Sequence, residues 1–136
     1  MKDAFVKTLN SLKQTIPIIV GVLFLLGFVI AVIPKTFYIT IFSGNKFADL
    51  FFGALIGSVS GGNPITSYIL GGELLNQGVS LLAVTAFILA WVTVGLIQLP
   101  AESLMLGKRF AIIRNIASFL TAIIIAILTV ITLSII

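Results

Sequence analysis

The stretch "GSVSGGNPITSYILGGE", residues 57–73, combines glycines and hydroxyl side chains with an asparagine and a proline. It interrupts a strongly apolar region of the chain. Asn is a favoured helix N-cap, and Pro is favoured at the first position of a helix because its missing N–H would have no partner there. The stretch therefore predicts one helix that stops at Gly61 and Gly62 and a second helix that begins at Pro64.

The composition predicts an integral membrane protein. The 136 residues are 60% hydrophobic and 9% charged, with a mean hydropathy of +1.28, which is outside the range of soluble domains. The length fits one polytopic domain, residues 1–136. We therefore expect an all-α protein in the cell membrane whose main partner is the lipid bilayer.

Several function classes are excluded by the residues that the chain lacks. It has no cysteine and no histidine, so no thiolate or imidazole metal site is expected. The four carboxylates show no spacing that would pair them, so we expect neither an enzyme nor a cofactor. The net charge of +4 comes from basic residues beside apolar segments, which indicates membrane topology rather than nucleic-acid binding.

Three long apolar segments are predicted to cross the membrane as helices. They are residues 15–33, 81–99 and 117–136, each close to the roughly 20 residues that span a bilayer. The first is too long for a cleaved signal peptide and has no cleavage pattern after it. Residues 1–14 alternate lysines with apolar residues at helical spacing, which predicts an amphipathic lead-in at the membrane surface.

The interrupted region, residues 47–75, allows two geometries. Each half has about 12 residues, or roughly 18 Å of helix, which is too short to cross comfortably alone. The halves form either a re-entrant hairpin (or two short tilted crossings) or a single broken helix that crosses once. The chain would then have about four to five membrane helices.

The basic residues favour the hairpin under the positive-inside rule. With a hairpin, six basic residues fall on one side of the membrane, against Lys35 and Lys46 on the other; with one broken crossing the division is three against five. The six are Lys2, Lys7, Lys13, Lys108, Arg109 and Arg114. We therefore expect a cytoplasmic N-terminus and an outward C-terminus.

The helix break is the candidate substrate site. Non-helical backbone at membrane depth is tolerated where it is buried in protein or lines a water-filled cavity. The N-terminal dipole of the second half-helix and its neutral polar groups suit a small anion or a polar neutral solute. The alternative is a kinked helix whose glycines serve only packing. The candidate substrate-binding residues are Ser58, Ser60, Gly61, Gly62, Asn63, Pro64, Thr66 and Ser67.

A second polar group follows on the next segment. Thr85, Trp91, Gly95, Gln98 and Glu102 have spacings that predict one shared helix face. Because ionisable groups near membrane depth usually face a cavity or a partner, Glu102, with Gln98 and Trp91, is a candidate for gating or coupling. The alternative is that Glu102 forms an ion pair with one of the basic residues at 108, 109 or 114, and that Trp91 only packs.

Small residues predict close helix packing. Gly53 and Gly57 are separated by one helical turn, as are Ala122 and Ala126 in the last span. Such stripes let two helix backbones approach each other.

Three motifs give a resemblance to a known family. "SGGNPITSYILGGELL", "AFILAWVTVGLIQLPAE" and "LGKRFAIIRN" together resemble a short branch of the predicted-permease family related to organoarsenical efflux permeases. The resemblance covers about half of the chain and implies a permease whose polar hairpin contributes to the substrate path. An arsenical substrate does not follow, because a soft arsenical would seek sulfur ligands and the chain has no cysteine.

Larger members of that family are about twice this length, so the chain resembles one of two related halves. We therefore expect a homodimer, in which two chains take the place of two fused halves. The expected function is a small permease-like transporter that moves a small-molecule or ion substrate past the helix break. The alternatives are a channel and a membrane scaffold or accessory subunit without transport activity.

Overall fold

The computed structural model describes residues 6–13, 16–17, 20–21, 24, 28, 42, 44–61 and 63–135, and the chain divides into two compact units, Met1–Pro34 and Lys35–Ile136. In the first unit the described residues, including the continuous stretch 6–13, are helical. The predicted span 15–33 lies largely outside the described residues. The amphipathic lead-in over residues 1–14 and the span over residues 15–33 therefore stay predictions.

Within its described residues, the second unit contains five helices and no strand. They are α1 (Lys46–Val59), α2 (Pro64–Asn76), α3 (Leu81–Thr93), α4 (Leu99–Leu106) and α5 (Lys108–Ile135). The described part of the protein is therefore all-α, as the sequence predicts.

Side-chain caps explain where three of these helices begin. The side chains of Asn45, Asn63 and Ser80 accept hydrogen bonds from backbone N–H groups in the first turns of α1, α2 and α3. Such caps satisfy N–H groups that a helix leaves unpaired. Pro64 occupies the first turn of α2, so the helix break lies where the sequence predicts it.

Helix α1 runs parallel to α3 at very short distance. A Cβ added at Gly53 would overlap with the carbonyl oxygen of Ala83, and one added at Gly57 would overlap with that of Phe87. Gly61, just beyond α1, lies against the side chain of Ile97. Because residue numbers rise together along both helices, α1 and α3 point in the same direction.

Helix α2 runs in the opposite direction along α3. Pro64, at its start, shares a cavity with Trp91 near the end of α3, and Gly71 lies against Ile88 and Val84. At the end of α2, Leu74 packs against residues at the start of α3. The chain therefore reverses at the helix break and returns along another part of α3.

Helix α5 is antiparallel to α1, because Ser58 near the end of α1 lines the same cavity as Ile112 near the start of α5. Phe119 makes an edge-to-face ring contact with Phe51, at a centroid distance of 5.8 Å. The cluster where α1, α3 and α5 meet consists mainly of small side chains, which permits close packing of the backbones. Its buried members are Leu50, Ala54, Ala86, Ala90, Val94, Ala122 and Ala126.

The third helix is shorter than predicted. The sequence predicts a span over 81–99, but α3 ends at Thr93 and has 13 residues, or about 20 Å of helix. The backbone N–H of Gly95 donates instead to the side chain of Asn115, 2.8 Å away, and a new helix begins before Pro100. A continuous helix would need that N–H for its own hydrogen bonding, so the prediction is wrong at this end.

Among the described residues, one helix is long and apolar enough to cross a membrane, judged by length and composition. It is α5, with 28 residues and a most apolar window of mean hydropathy 2.7. It begins nine residues before the predicted span 117–136.

Candidate functional site at the helix break

A cavity of about 400 Å³ lies where the helix break meets the end of α3 and the beginning of α5. It joins two polar stretches that are some thirty residues apart in the sequence. Its lining comprises Ser60, Gly61, Pro64, Trp91, Val92, Thr93, Val94, Gly95, Ile97, Gln98 and Arg114. The wall therefore contains hydroxyls, an indole, an amide and a guanidinium group beside apolar side chains.

The predicted substrate-binding residues divide into two groups. Ser60, Gly61 and Pro64 line the cavity, and Asn63 next to them caps α2 by accepting from the Ile65 N–H at 3.0 Å. Ser58 and Ser67 are buried but do not line the cavity, and neither does Thr66. Gly62 lies outside the described residues.

The hydroxyl groups of the two buried serines are already bonded within their own helices. Ser58 Oγ donates to the Leu55 carbonyl oxygen and Ser67 Oγ to that of Pro64, both at 2.7 Å. A hydroxyl that is satisfied in this way and buried away from the cavity has a structural role. The residues that the structure brings to the cavity are thus the tip of the break and not the helices on either side of it.

The second predicted group is brought to the same cavity, but not by one helix face. Trp91 lies on α3, Gly95 and Gln98 lie in the turn that follows, and Glu102 lies on α4. The prediction of a shared face is therefore wrong, because the helix ends at Thr93. Trp91, Gly95 and Gln98 nevertheless line the cavity, whereas Thr85 and Glu102 do not.

Glu102 forms an ion pair with Arg114. Arg114 Nη2 lies 2.5 Å from Glu102 Oε1, and Nε donates to Oε2 at 3.1 Å. The Glu102 side chain is 18% exposed and that of Arg114 37%. The sequence offers two roles for Glu102, gating or coupling and an ion pair with a nearby basic residue. The contact with Arg114 matches the ion pair.

Asn115 joins this ion pair to the backbone. The residue is 4% exposed, and its amide nitrogen donates to Glu102 Oε2 at 3.3 Å and to the Ala111 carbonyl oxygen at 2.9 Å. Its amide oxygen accepts from Gly95 N–H. The Asn115 side chain therefore holds the turn after α3 against α4 and α5. A buried polar side chain whose hydrogen bonds are satisfied favours one arrangement of the elements that it joins.

The sequence indicates Arg114 as one of three possible ion-pair partners of Glu102, but not as part of the cavity wall. It assigns no role to Asn115, the last residue of the motif "LGKRFAIIRN". The available signal was an amide residue inside an otherwise apolar helix, where polar side chains usually face a partner.

The arrangement presents hydrogen-bond donors to the cavity. Glu102 uses two N–H groups of Arg114, and a guanidinium has five, so donors remain for a ligand. The indole nitrogen of Trp91 also has no hydrogen-bond partner among the described residues, but it is buried and is not exposed to the cavity. Donors with one permanently charged member suit an anion or a polar solute with acceptor oxygens.

The comparisons with known proteins give no relative for this chain. No protein-family model, no curated protein and no solved structure matches it. The interpretation of the site therefore rests on its geometry.

Proposed function

We propose that the protein is a small permease-like membrane transporter that moves a small anionic or polar solute through the cavity at the helix break. The observation that carries this proposal is the cavity itself. It brings Ser60 and Gly61 of the break together with Trp91 and Gln98 of the second polar group, beside the guanidinium of Arg114. Polar linings at broken helices are how many transporters hold their substrates.

The direction of the helices supports the hairpin. Because α1 and α2 run in opposite directions along α3, the chain enters and leaves the break from the same end of the second unit. Lys46, at the start of α1, is at the opposite end from Lys108 and Arg109, since α1 and α5 are antiparallel. A single broken crossing would put these three residues on the same side of the membrane. Their placement at opposite ends therefore supports the hairpin, which the positive-inside rule also favours.

Helix α5 supports a place in the membrane. Its 28 residues correspond to about 42 Å, enough for a hydrocarbon core of about 30 Å, and large apolar side chains are exposed along its length. In this proposal the lipid bilayer covers these side chains. The protein is then a multi-pass protein of the cell membrane with its N-terminus in the cytoplasm.

The residues around the cavity would have different roles. Arg114 would attract the solute, and Trp91 and Gln98 would form the wall through which it passes. Glu102 would act through Arg114, because it holds the guanidinium without lining the cavity. Opening of this ion pair would change the charge that the solute meets, which is a form of gating.

We also propose that two copies assemble into a homodimer. The resemblance to one half of a larger permease family supports this, as does the apolar surface of α5. Each chain would supply one cavity of the kind described above.

Proteoliposomes provide the test of transport. Purified protein is reconstituted, and the vesicles receive a hyperosmotic step of a potassium salt of a small anion, or of urea or glycerol as neutral solutes, with valinomycin present to carry potassium. Light scattering then follows reswelling. We expect faster reswelling than in empty liposomes for at least one of these solutes, and no effect of Ser134→Ala, an exposed position remote from the cavity.

The paired variant Arg114→Gln with Glu102→Gln removes both charges and leaves neither one unpaired. We expect it to lower anion-driven reswelling about tenfold, the effect of losing one charge-assisted hydrogen bond. Equal rates with and without wild-type protein for every solute would overturn the transport proposal and favour a scaffold without transport activity.

A further inference from the structure

An apolar groove of about 340 Å³ lies between α1, the turn after α3 and α5. It is a different space from the cavity at the helix break, although Val94 belongs to the walls of both. Large apolar side chains that are 38% to 56% exposed line the groove, so it is open along one side. They are Phe51, Leu55, Leu96, Ile112, Ile116 and Leu120.

The polar side chains in the groove wall are already bonded within the protein. Ser58 Oγ donates to the Leu55 carbonyl oxygen. The Asn115 amide is bonded to the turn after α3, to α4 and to α5. Both residues are buried. The groove therefore favours an apolar ligand, which it holds by burial of apolar surface.

The groove has the length of a lipid chain in one leaflet. Along α5 it runs from Ile112 to Leu120, which corresponds to about 12 Å of helix. Lys108 lies one further turn before Ile112. One leaflet of a hydrocarbon core of about 30 Å is about 15 Å thick. An acyl chain that fills the groove therefore ends near the first turn of α5.

That first turn carries two exposed cations. Lys108 and Arg109 begin α5, and the turn contains no acidic residue. Lys108 and Ile112 are four residues apart, which puts them on the same face of the helix. The N-terminus of a helix has partial positive charge, so two cations are unfavourable there unless an anion neutralises them. The charge at this end of the groove therefore favours an anionic headgroup.

A lipid phosphate matches these cations better than a second copy of the chain does. Among the described carboxylates, Asp49 is buried, Glu102 is in an ion pair and Glu73 accepts a hydrogen bond from a neighbouring amide. A phosphate group, in contrast, brings oxygen atoms that lysine and arginine both bind.

We infer that the groove binds one acyl chain of an anionic phospholipid whose phosphate lies against Lys108 and Arg109. The proposed topology puts these two residues on the cytoplasmic side, where anionic lipids attract basic residues beside a membrane helix. The inference rests on the proposed place in the membrane and goes beyond the proposed transport.

Thermal unfolding in an uncharged detergent tests the site without a transported solute. Phosphatidylglycerol and phosphatidylcholine with the same acyl chains are added at equal concentrations. We expect phosphatidylglycerol to raise the unfolding midpoint by about 3 °C or more above phosphatidylcholine, with saturation, because a ligand of the folded state stabilises it. Equal midpoints would overturn the inference, and so would the same shift with glycerol 3-phosphate, which has no acyl chain.

A charge variant assigns the headgroup. Lys108→Gln with Arg109→Gln should abolish the difference between the two lipids. Lys46→Gln, which removes an exposed lysine at the other end of the unit, should retain it. A difference that persists without Lys108 and Arg109 would contradict the site.

A groove variant assigns the acyl chain. Ile116→Trp fills the groove and should abolish the shift, whereas Ile113→Trp, on an exposed part of α5 outside the groove, should retain it. An unchanged shift in Ile116→Trp would contradict the site. If Ile116→Trp does not fold, the charge variant decides the question, with bound lipid counted by native mass spectrometry. Loss of this shift with intact reswelling would remove the lipid site and leave the transport proposal standing.

Discussion

The absence of a side chain at Gly57 lets α1 approach α3 closely. The neighbouring atom is a backbone oxygen, that of Phe87, and backbone cannot move aside as a flexible side chain can. Gly53 has the same relation to Ala83 one turn earlier. These two contacts fix the parallel register of α1 and α3, and with it the position of the helix break against the end of α3.

Gly57→Ala should therefore destabilise the protein by about 1–3 kcal/mol, the usual cost of forcing an extra group into a packed contact. The matched control is Gly72→Ala, because a Cβ at Gly72 meets no other atom within 4 Å. In that control the better helix propensity of Ala should leave stability unchanged or slightly higher. Denaturant unfolding of both variants measures the difference, and equal stability would contradict the close contact.

Asn115 is the residue on which the turn after α3 depends. Asn115→Leu conserves size but leaves the N–H of Gly95 without its acceptor, which should cost about 1–3 kcal/mol. Thr121→Val is the control, since the Thr121 hydroxyl is exposed and bonds only within its own helix. Denaturant unfolding in detergent measures both variants. A loss no larger for Asn115→Leu than for Thr121→Val would mean that Asn115 does not hold the turn.

At the scale of helices, the sequence predicts starts better than ends. The beginning of α2 follows from Asn63 and Pro64, because an N-cap and a proline act locally. The end of α3 was missed because it depends on Asn115, twenty residues farther along the chain. The predicted helix face shared by Glu102 and Trp91 is wrong for the same reason, because α3 ends at Thr93 before it reaches Glu102.

The cap at Asn63 should stabilise the start of α2. Asn63→Ala removes the acceptor for the Ile65 N–H and should lower stability by about 1 kcal/mol, whereas Asn63→Ser keeps a capping oxygen and most of the stability. Hydrogen exchange at the first turn of α2 checks this directly. Unchanged protection of that turn in Asn63→Ala would show that the cap does not hold the helix start.

At the scale of the whole molecule, composition and basic residues predict a membrane protein and its topology, while the packing supplies the directions of the helices. The cavity could not be predicted, because it requires that residues near 61 and near 95 meet, and no periodicity encodes that meeting. The tight α1–α3 contact through Gly53 and Gly57 creates it.

Topology is tested at opposite ends of the second unit. Phe47 and Leu106 are both exposed, and the structure puts them at opposite ends. Single cysteines at the two positions should react with a membrane-impermeant thiol reagent from opposite faces of the membrane. Labelling from the same face would contradict the hairpin and favour one broken crossing.

A wet polar pathway at the helix break should expose one of two neighbouring serines, Ser60, and not the other, Ser58. The native chain has no cysteine, so Ser60→Cys and Ser58→Cys can be compared in liposomes with the same impermeant reagent. Ser60 lines the cavity, whereas Ser58 is 2% exposed and does not. We expect Ser60→Cys to react and Ser58→Cys not to react; if both are equally inert, the break is dry packing and the pathway does not exist.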